Sequence, residues 1–122
     1  MKLPIAFVFP FVFLSQATTA VEAQPAPTFR STCEDLRRAL RDHRVDGSQL
    51  VTVEVVGTLT FARSDGALAY LGMCDSPHPR VLCVSYELGG RKVGDRAILT
   101  GSYIPRGPDH IQLDPCLPHD PE

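Results

Sequence analysis

Four cysteines carry the clearest chemical signal in this chain of 122 residues: Cys33, Cys74, Cys83 and Cys116. An even number of cysteines in a short exported chain is typical of a disulfide framework, and four cysteines allow three pairings. The absence of a Cys-x-x-Cys motif argues against a thioredoxin-like redox role. A zinc site built from these sulfurs and the nearby histidines would lack the ligand spacing of zinc fingers and ribbons. The sequence therefore predicts two disulfides and neither a metal nor another cofactor.

Two Asp–His pairs have the residue types needed for acid–base catalysis. Asp75 and His78 share one proline-rich segment, and Asp109 directly precedes His110. Nothing in the sequence indicates a third group that would orient either pair, and nucleophile motifs such as Gly-x-Ser-x-Gly are absent. We therefore expect a protein that is not an enzyme and has no catalytic residues.

Three arginines, Arg37, Arg41 and Arg44, follow the i, i+4, i+7 spacing of one helix face. Such a stripe could hold an anionic ligand or the acidic surface of a partner. The simpler interpretation is a solvated helix face, because charge runs on exposed faces need no ligand. His78 and Arg80 are further candidate binding residues, since both belong to a short loop between strands.

The three tyrosines fall on three successive predicted strands: Tyr70, Tyr86 and Tyr103. Exposed rings on a sheet can stack on bases or sugars, which makes Tyr70 and Tyr86 candidate binding residues. Alternatively the rings fill the interior of a barrel. Tyr86 alternates with Leu82 and Val84, so the pattern favours a core position for it. The strands lack the lined-up basic residues that nucleic acid requires, and the net charge of the chain is −2, so we expect no nucleic-acid partner.

The first 23 residues have the order of a secretory signal peptide. Lys2 supplies a positive charge, an apolar run covers Leu3–Leu14, and small and polar residues follow. The apolar run is about twelve residues long, whereas a membrane-spanning helix needs roughly 20. We predict cleavage after Ala23, which leaves an exported chain, periplasmic or secreted, without a membrane span.

The remaining residues make one small domain. Residues 24–30 form a proline-rich lead-in, and residues 31–116 form the folded domain, with residues 117–122 as a C-terminal tail. A helix is predicted over Ser31–Arg44, because Ser31 and Glu34 have the spacing of a capping box and apolar residues recur with helical period. Cys33 belongs to the inward-facing stripe of this helix.

The period then changes to two, which is typical of half-buried strands. One face of the first strand carries Val51, Val53, Val55, Gly57, Leu59 and Phe61, and we expect this face to be buried. A glycine in the middle of such a long strand indicates a bulge or a sharp bend. The five predicted strands cover Leu50–Phe61, Ala67–Cys74, Val81–Glu87, Arg96–Ile104 and Asp109–Asp114.

The segment Val93–Tyr103, a turn and Ile111–Leu113 together resemble the fourth and fifth strands of OB-folds, and the strand around Gly57 resembles their first. The resemblance covers Leu50–Asp114 and rests on glycine and strand spacing. It implies a mainly β fold, a small five-stranded OB-like barrel, here preceded by one N-terminal helix. An SH3-like or other five-stranded barrel is the alternative. The whole chain is also similar to small exported bacterial proteins of unknown function that end in a Leu-Asp-Pro-Cys segment, here residues 113–116.

We predict the disulfides Cys74–Cys83 and Cys33–Cys116. If the second and third strands pair through the loop Asp75–Arg80, Cys74 and Cys83 come within the Cα separation of about 4.4–6.8 Å that a disulfide needs. Cys33 faces inward from the helix, and Cys116 follows the last strand.

These observations favour an exported, non-enzymatic binding or accessory module that acts as a monomer on a protein or an envelope glycan. In OB-folds the second and third strands bind the ligand, and the tyrosines of those strands are Tyr70 and Tyr86. The alternative is a secreted inhibitor or immunity-type protein that inserts the loop Asp75–Arg80 into an envelope or extracellular enzyme.

Overall fold

The structure is a computed structural model that describes residues 2–4, 8, 10–13 and 27–121. The predicted cleavage after Ala23 lies outside the described residues. The elements, in chain order, are β1 (Phe29–Thr32), α1 (Leu36–Asp42), β2 (Thr52–Ser64), β3 (Ala69–Met73), β4 (Arg80–Ser85), β5 (Arg96–Gly107) and β6 (His110–His119). The predicted fold class is confirmed: a closed five-stranded barrel with one short helix and two disulfides, to which β1 adds an extra strand.

The long strand β2 closes the barrel because it serves two partners. Its first half, Thr52–Thr58, pairs with β5, and its second half, Leu59–Ser64, pairs with β3. The strand order around the barrel is β2-β3-β4-β6-β5 and back to β2, with β4 and β6 parallel and the other barrel pairs antiparallel. Gly57 lies next to the change of partner, and the bulge predicted at this glycine lies three residues further on, at Thr60.

Gly57 is required there by close packing. A Cβ atom at this position would lie 3.0 Å from Sδ of Met73 and 3.3 Å from Sγ of Cys33. Strand β1 pairs in parallel with Val53–Val56 of β2, on the edge that β5 leaves free. The glycine therefore lets the ends of β1 and β3 meet beside β2, where the disulfide Cys33–Cys74 joins them.

A β-bulge changes the face of β2 after Leu59. Leu59 pairs with Met73, but Phe61 pairs with Gly72, so Thr60 is an extra residue without a partner across the ladder. An extra residue reverses the alternation of side chains that follow it. Phe61 is consequently 44% exposed, and its predicted core position is wrong.

The start of the domain differs from the prediction. Phe29–Thr32 is a strand rather than a lead-in followed by a capped helix, and α1 begins only at Leu36. Its N-cap, Asp35, makes no side-chain capping hydrogen bond, so the predicted capping box does not form. Burial of Phe29 and Ser31 against the barrel, with ladder bonds to β2, outweighs the local helix signal.

The end of the domain also differs. Strand β6 continues to His119 instead of ending at Asp114, so residues 117–119 of the predicted tail belong to the barrel. Prolines led to the wrong boundary, because proline is confined to edges and bulges in sheets. Pro115 lies at a register shift between β5 and β6, between the pairs Gly101–Cys116 and Tyr103–Leu113, which accommodates it.

Both predicted disulfide pairings are wrong. The bonds are Cys33–Cys74 and Cys83–Cys116, each with a Cα–Cα distance of 5.4 Å. In the hairpin of β3 and β4, the partner of Cys83 is Leu71, three residues before Cys74. Three residues of strand span about 10 Å, so Cys74 and Cys83 are too far apart to bond.

The interior is aliphatic and includes the disulfide between Cys83 and Cys116, whose residues are 0% and 1% exposed. The described residues contain no free cysteine. Two disulfides indicate an oxidising, extracellular-type environment. Over the described part of the chain, no helix combines the length and apolar character needed to cross a membrane.

Candidate binding face

The outer surface of strand β4 is apolar. Val81, Cys83 and Ser85 point into the barrel, so the alternate residues Leu82 and Val84 lie on the outer side of the strand, where Leu82 is half-buried and Val84 is 9% exposed. Tyr86 follows directly and is 76% exposed. Its predicted core position is therefore wrong, because β4 is apolar on both faces and the aliphatic pattern alone selects the wrong one.

Neighbouring strands extend this surface. Tyr70 pairs with Val84, and Gly72 pairs with Leu82 on one side and with Phe61 on the other. Arg63 of β2 pairs with Tyr70, so it also points outwards. We call the resulting surface the β3–β4 outer face; it consists of Phe61, Arg63, Tyr70, Leu82, Val84 and Tyr86.

A groove of about 340 Å³ opens at one end of this face. Phe61 and Leu82 line it, Gly72 lies between them, and Arg80 and His110 form the side near β6. A Cβ atom at Gly72 would lie 2.7 Å from Cβ of Phe61, so glycine allows the phenylalanine to pack directly over the strand. The groove thus combines an aromatic ring with hydrogen-bond donors.

The basic side chains of this surface form no bonds to the rest of the described protein. Arg80 donates its backbone N–H to the carbonyl of Asp109 at 2.9 Å, which fixes the start of β4 beside β6. Within the described residues, the guanidinium groups of Arg63 and Arg80 and the imidazole of His110 form no hydrogen bond or ion pair. They are available to a ligand.

Tyr70 is held in place by the turn between β2 and β3. Its hydroxyl donates to Asp65 at 3.1 Å, and the same carboxylate accepts the backbone N–H groups of Leu68 at 2.8 Å and Ala67 at 2.9 Å. These backbone donors, with the tyrosine hydroxyl, lower the pKa of Asp65. The hydrogen bond to Asp65 raises the pKa of Tyr70. The ring is therefore oriented before any ligand arrives.

The loop before β4 is fixed by the helix. Arg37 of α1 donates to the carbonyl of Pro77 at 3.2 Å and to Oδ1 of Asp109 at 3.0 Å. Arg41 and Arg44 are exposed, and neither side chain bonds to another described residue. The three arginines of the predicted stripe therefore do not form one site, because Arg37 is bonded to the loop before β4 and to Asp109, whereas Arg41 and Arg44 are not.

His78 is half-buried in the loop and lines, with Glu34 and Arg96, a pocket that adjoins the groove, because Cys74 and Asp75 line both. In neither Asp–His pair does the carboxylate bond to its histidine; Asp75 and His78 are joined only through the backbone, where the N–H of His78 donates to the carbonyl of Asp75 at 2.9 Å.

All four sulfurs are in disulfides, and the described residues include no group of three side chains able to hold a metal.

Sequence reasoning missed Phe61, Arg63 and Leu82 as members of the face. Cys83 was the residue that could have shown which face of β4 is buried, because a disulfide cysteine in a strand is a better marker of the buried face than an aliphatic residue.

No family model matches the chain, and no curated protein matches it significantly. Function is therefore argued from the site.

Proposed function

We propose that this protein is an exported, non-enzymatic binding module of the OB type, and that its ligand is an envelope oligosaccharide lying across the β3–β4 outer face. The observation that carries the proposal is the aromatic and apolar surface beside a groove with free hydrogen-bond donors. Phe61 and Tyr86 are 44% and 76% exposed, and Tyr70 is already oriented by Asp65.

The strand order supports the OB assignment. In OB-folds a five-stranded Greek-key barrel binds oligonucleotides or oligosaccharides on the face of its second and third strands, between the first and last loops. The second and third strands of this barrel are β3 and β4. The corresponding loops are the Asp65 turn, which is bonded to Tyr70, and the turn before His110, a residue that lines the groove.

The ligand class follows from what the face can offer. Strand addition by a peptide needs a free edge, but β3 and β4 are each paired on both sides. Nucleic acid needs a row of basic residues along its phosphates, whereas the two arginines of this surface, Arg63 and Arg80, stand apart on β2 and β4. Aromatic rings for stacking, beside side chains with unused hydrogen-bond donors, suit a chain of sugars.

Export is supported by the N-terminal sequence and by the two disulfides, which persist in oxidising compartments. We infer that the mature protein functions in the periplasm or outside the cell.

A glycan panel, followed by calorimetry on each hit, tests the proposal. The chain has no tryptophan and three tyrosines, so ligand binding at Tyr70 or Tyr86 also changes the intrinsic tyrosine fluorescence. We expect Phe61→Ala and Tyr86→Ala each to weaken binding by about 1–3 kcal/mol, the range for aromatic stacking. Leu117→Ala is the matched control, since Leu117 is 40% exposed on the far part of β6. Equal loss in all three variants, or binding to no glycan, would refute the proposal.

A second candidate, a protein that inhibits an enzyme, is favoured by the loop Asp75–Arg80. Arg37 and the disulfide at Cys74 hold this exposed loop in one conformation, and a preorganised loop binds a cleft at lower entropic cost. Capture of an enzyme that is lost in a Pro77→Ala/His78→Ala variant, but kept in Phe61→Ala, would select this candidate over the first.

A further inference from the structure

Two arginines on or beside the β3–β4 outer face form no ion pair with another described residue. Among the described residues, Arg30, Arg37, Arg38 and Arg91 each pair with a carboxylate. Arg63 and Arg80 have no such partner, although both lie on or beside the β3–β4 outer face. A free guanidinium next to an apolar surface is suited to a carboxylate, whose two oxygens match its planar fork.

Most carboxylates on or beside this face already accept hydrogen bonds from the protein. Asp65 accepts from Tyr70 and from the backbone of its turn, and Asp114 accepts from the side-chain amide of Gln112 at 3.2 Å. Only Asp75, on the groove rim, forms no side-chain bond within the described chain. The charged side chains of this surface that form no hydrogen bond within the described chain are therefore Arg63 and Arg80, which donate, and Asp75, which can accept from a sugar hydroxyl.

The two arginines lie at different levels of the β3–β4 outer face. Arg63 is level with Val84, because both pair with Tyr70, and Arg80 is four residues before Val84. Two interstrand spacings of about 4.8 Å and four residues of about 3.3 Å separate their backbones by roughly 16 Å. Phe61, Tyr70 and Leu82 lie between or beside them. A ligand that meets both arginines must be an extended chain with more than one anionic group.

We infer that the ligand is an acidic oligosaccharide. Its carboxylates are bound by Arg63 and Arg80, and its sugar rings lie on the part of the β3–β4 outer face between these two arginines. This inference rests on the proposed function, and it adds the chemical class of the ligand. His110, which is adjacent to Arg80 across β4 and β6, supplies a further donor at the groove.

The test uses pairs of probes that differ only in the acid group: uronic-acid oligomers, and the same oligomers with every carboxyl group reduced to an alcohol. The protein is the disulfide-bonded chain, and affinity is measured by calorimetry at low and high salt. We expect the acidic oligomer to bind at least tenfold more tightly, and this preference to fall as salt screens the charges.

Arg63→Gln and Arg80→Gln should each weaken binding of the acidic oligomer roughly tenfold, the order of one charge-assisted hydrogen bond, and leave the reduced oligomer unaffected. The double variant Arg41→Gln/Arg44→Gln is the matched control, because these helix arginines are equally free but lie away from the face. Unchanged melting temperatures show that the variants remain folded.

Equal affinity for acidic and reduced oligomers, or an acidic preference that survives loss of both Arg63 and Arg80, would overturn the inference and leave the glycan-binding proposal standing. Binding of sulfated glycans alone would likewise overturn the inference, because the anion would then not be a carboxylate. Failure of every glycan, acidic or neutral, would instead reject both the proposed function and the inference.

Discussion

Removing either disulfide should destabilise the barrel strongly, and the buried one should matter more. The change is Cys33→Ala/Cys74→Ala in one variant and Cys83→Ala/Cys116→Ala in the other. The two bonds span 41 and 33 residues of sequence. In the chain-entropy model these nearly equal loops contribute about 3.9 and about 3.7 kcal/mol, so loop entropy does not distinguish them.

Burial does distinguish them. Cys83 and Cys116 are 0% and 1% exposed, whereas in the other bond Cys74 is 4% exposed and Cys33 is only half-buried. Deleting a buried atom leaves a cavity, and loss of one methylene-sized group costs about 0.5–1.5 kcal/mol. We therefore expect the Cys83/Cys116 variant to be less stable than the other by about 1 kcal/mol. For a domain of this size, 1 kcal/mol lowers the melting temperature by about 4–8 °C.

The assay is thermal and denaturant unfolding of both variants and the oxidised parent. A tryptic digest without reductant establishes the starting bonds, because cleavage after arginine places each cysteine in its own peptide: residues 31–37, 64–80, 81–91 and 107–122. We expect 31–37 linked to 64–80, and 81–91 linked to 107–122.

Two results would refute this reasoning. A peptide 64–80 linked to 81–91 would show that β3 and β4 pair in a different register. A Cys33/Cys74 variant that melts well below the Cys83/Cys116 variant would show that anchoring β1 and α1 stabilises the barrel more than burial of sulfur does.

Two further predictions concern packing and pH. Gly57→Ala should lower the free energy of unfolding by about 1–3 kcal/mol, because the added Cβ would lie 3.0 Å from Sδ of Met73. Gly107→Ala should leave the free energy of unfolding unchanged in the same urea titration, because a Cβ at Gly107 would have no neighbour within 4 Å. Hydrogen bonds lower the pKa of Asp65 below its ordinary value of 3.8, so its stabilising effect is present above pH 3.8 and disappears as the pH falls through the lower folded value. Asp65→Asn should therefore lower the melting temperature more at pH 7 than at pH 2; an equal loss at both would rule out this linkage.

The barrel was predictable where one face of a strand is apolar and the other polar. Val53, Val55 and Leu59 alternate with polar residues, and all three are buried as predicted. Alternation fails in β4, where both faces are apolar, and after Thr60, where an inserted residue reverses the faces. Tyr86 and Phe61 were misplaced for these two reasons, and both belong to the candidate site.

Long-range pairing was the other limit. Strand β1 has only four residues, and its partners on β2 are 24 residues away, so no local pattern indicates it. The disulfide pairing depends on registers that sequence does not contain: Cys83 lies opposite Leu71, and Cys74 lies beyond the ladder next to Cys33. Extension of β6 through Pro115 likewise depends on a bulge that only the assembled sheet reveals.

The order of the bonds along the chain has a consequence for biosynthesis. Cys33 is bonded to the next cysteine in sequence, and so is Cys83. Of the three possible pairings, this is the one in which each cysteine meets its native partner first when a chain enters an oxidising compartment from its amino terminus. Each covalent loop closes before the next begins, so an oxidant that joins thiols in order of arrival produces the native protein directly. Under oxidation in this order, the native bonds form without a step that rearranges them.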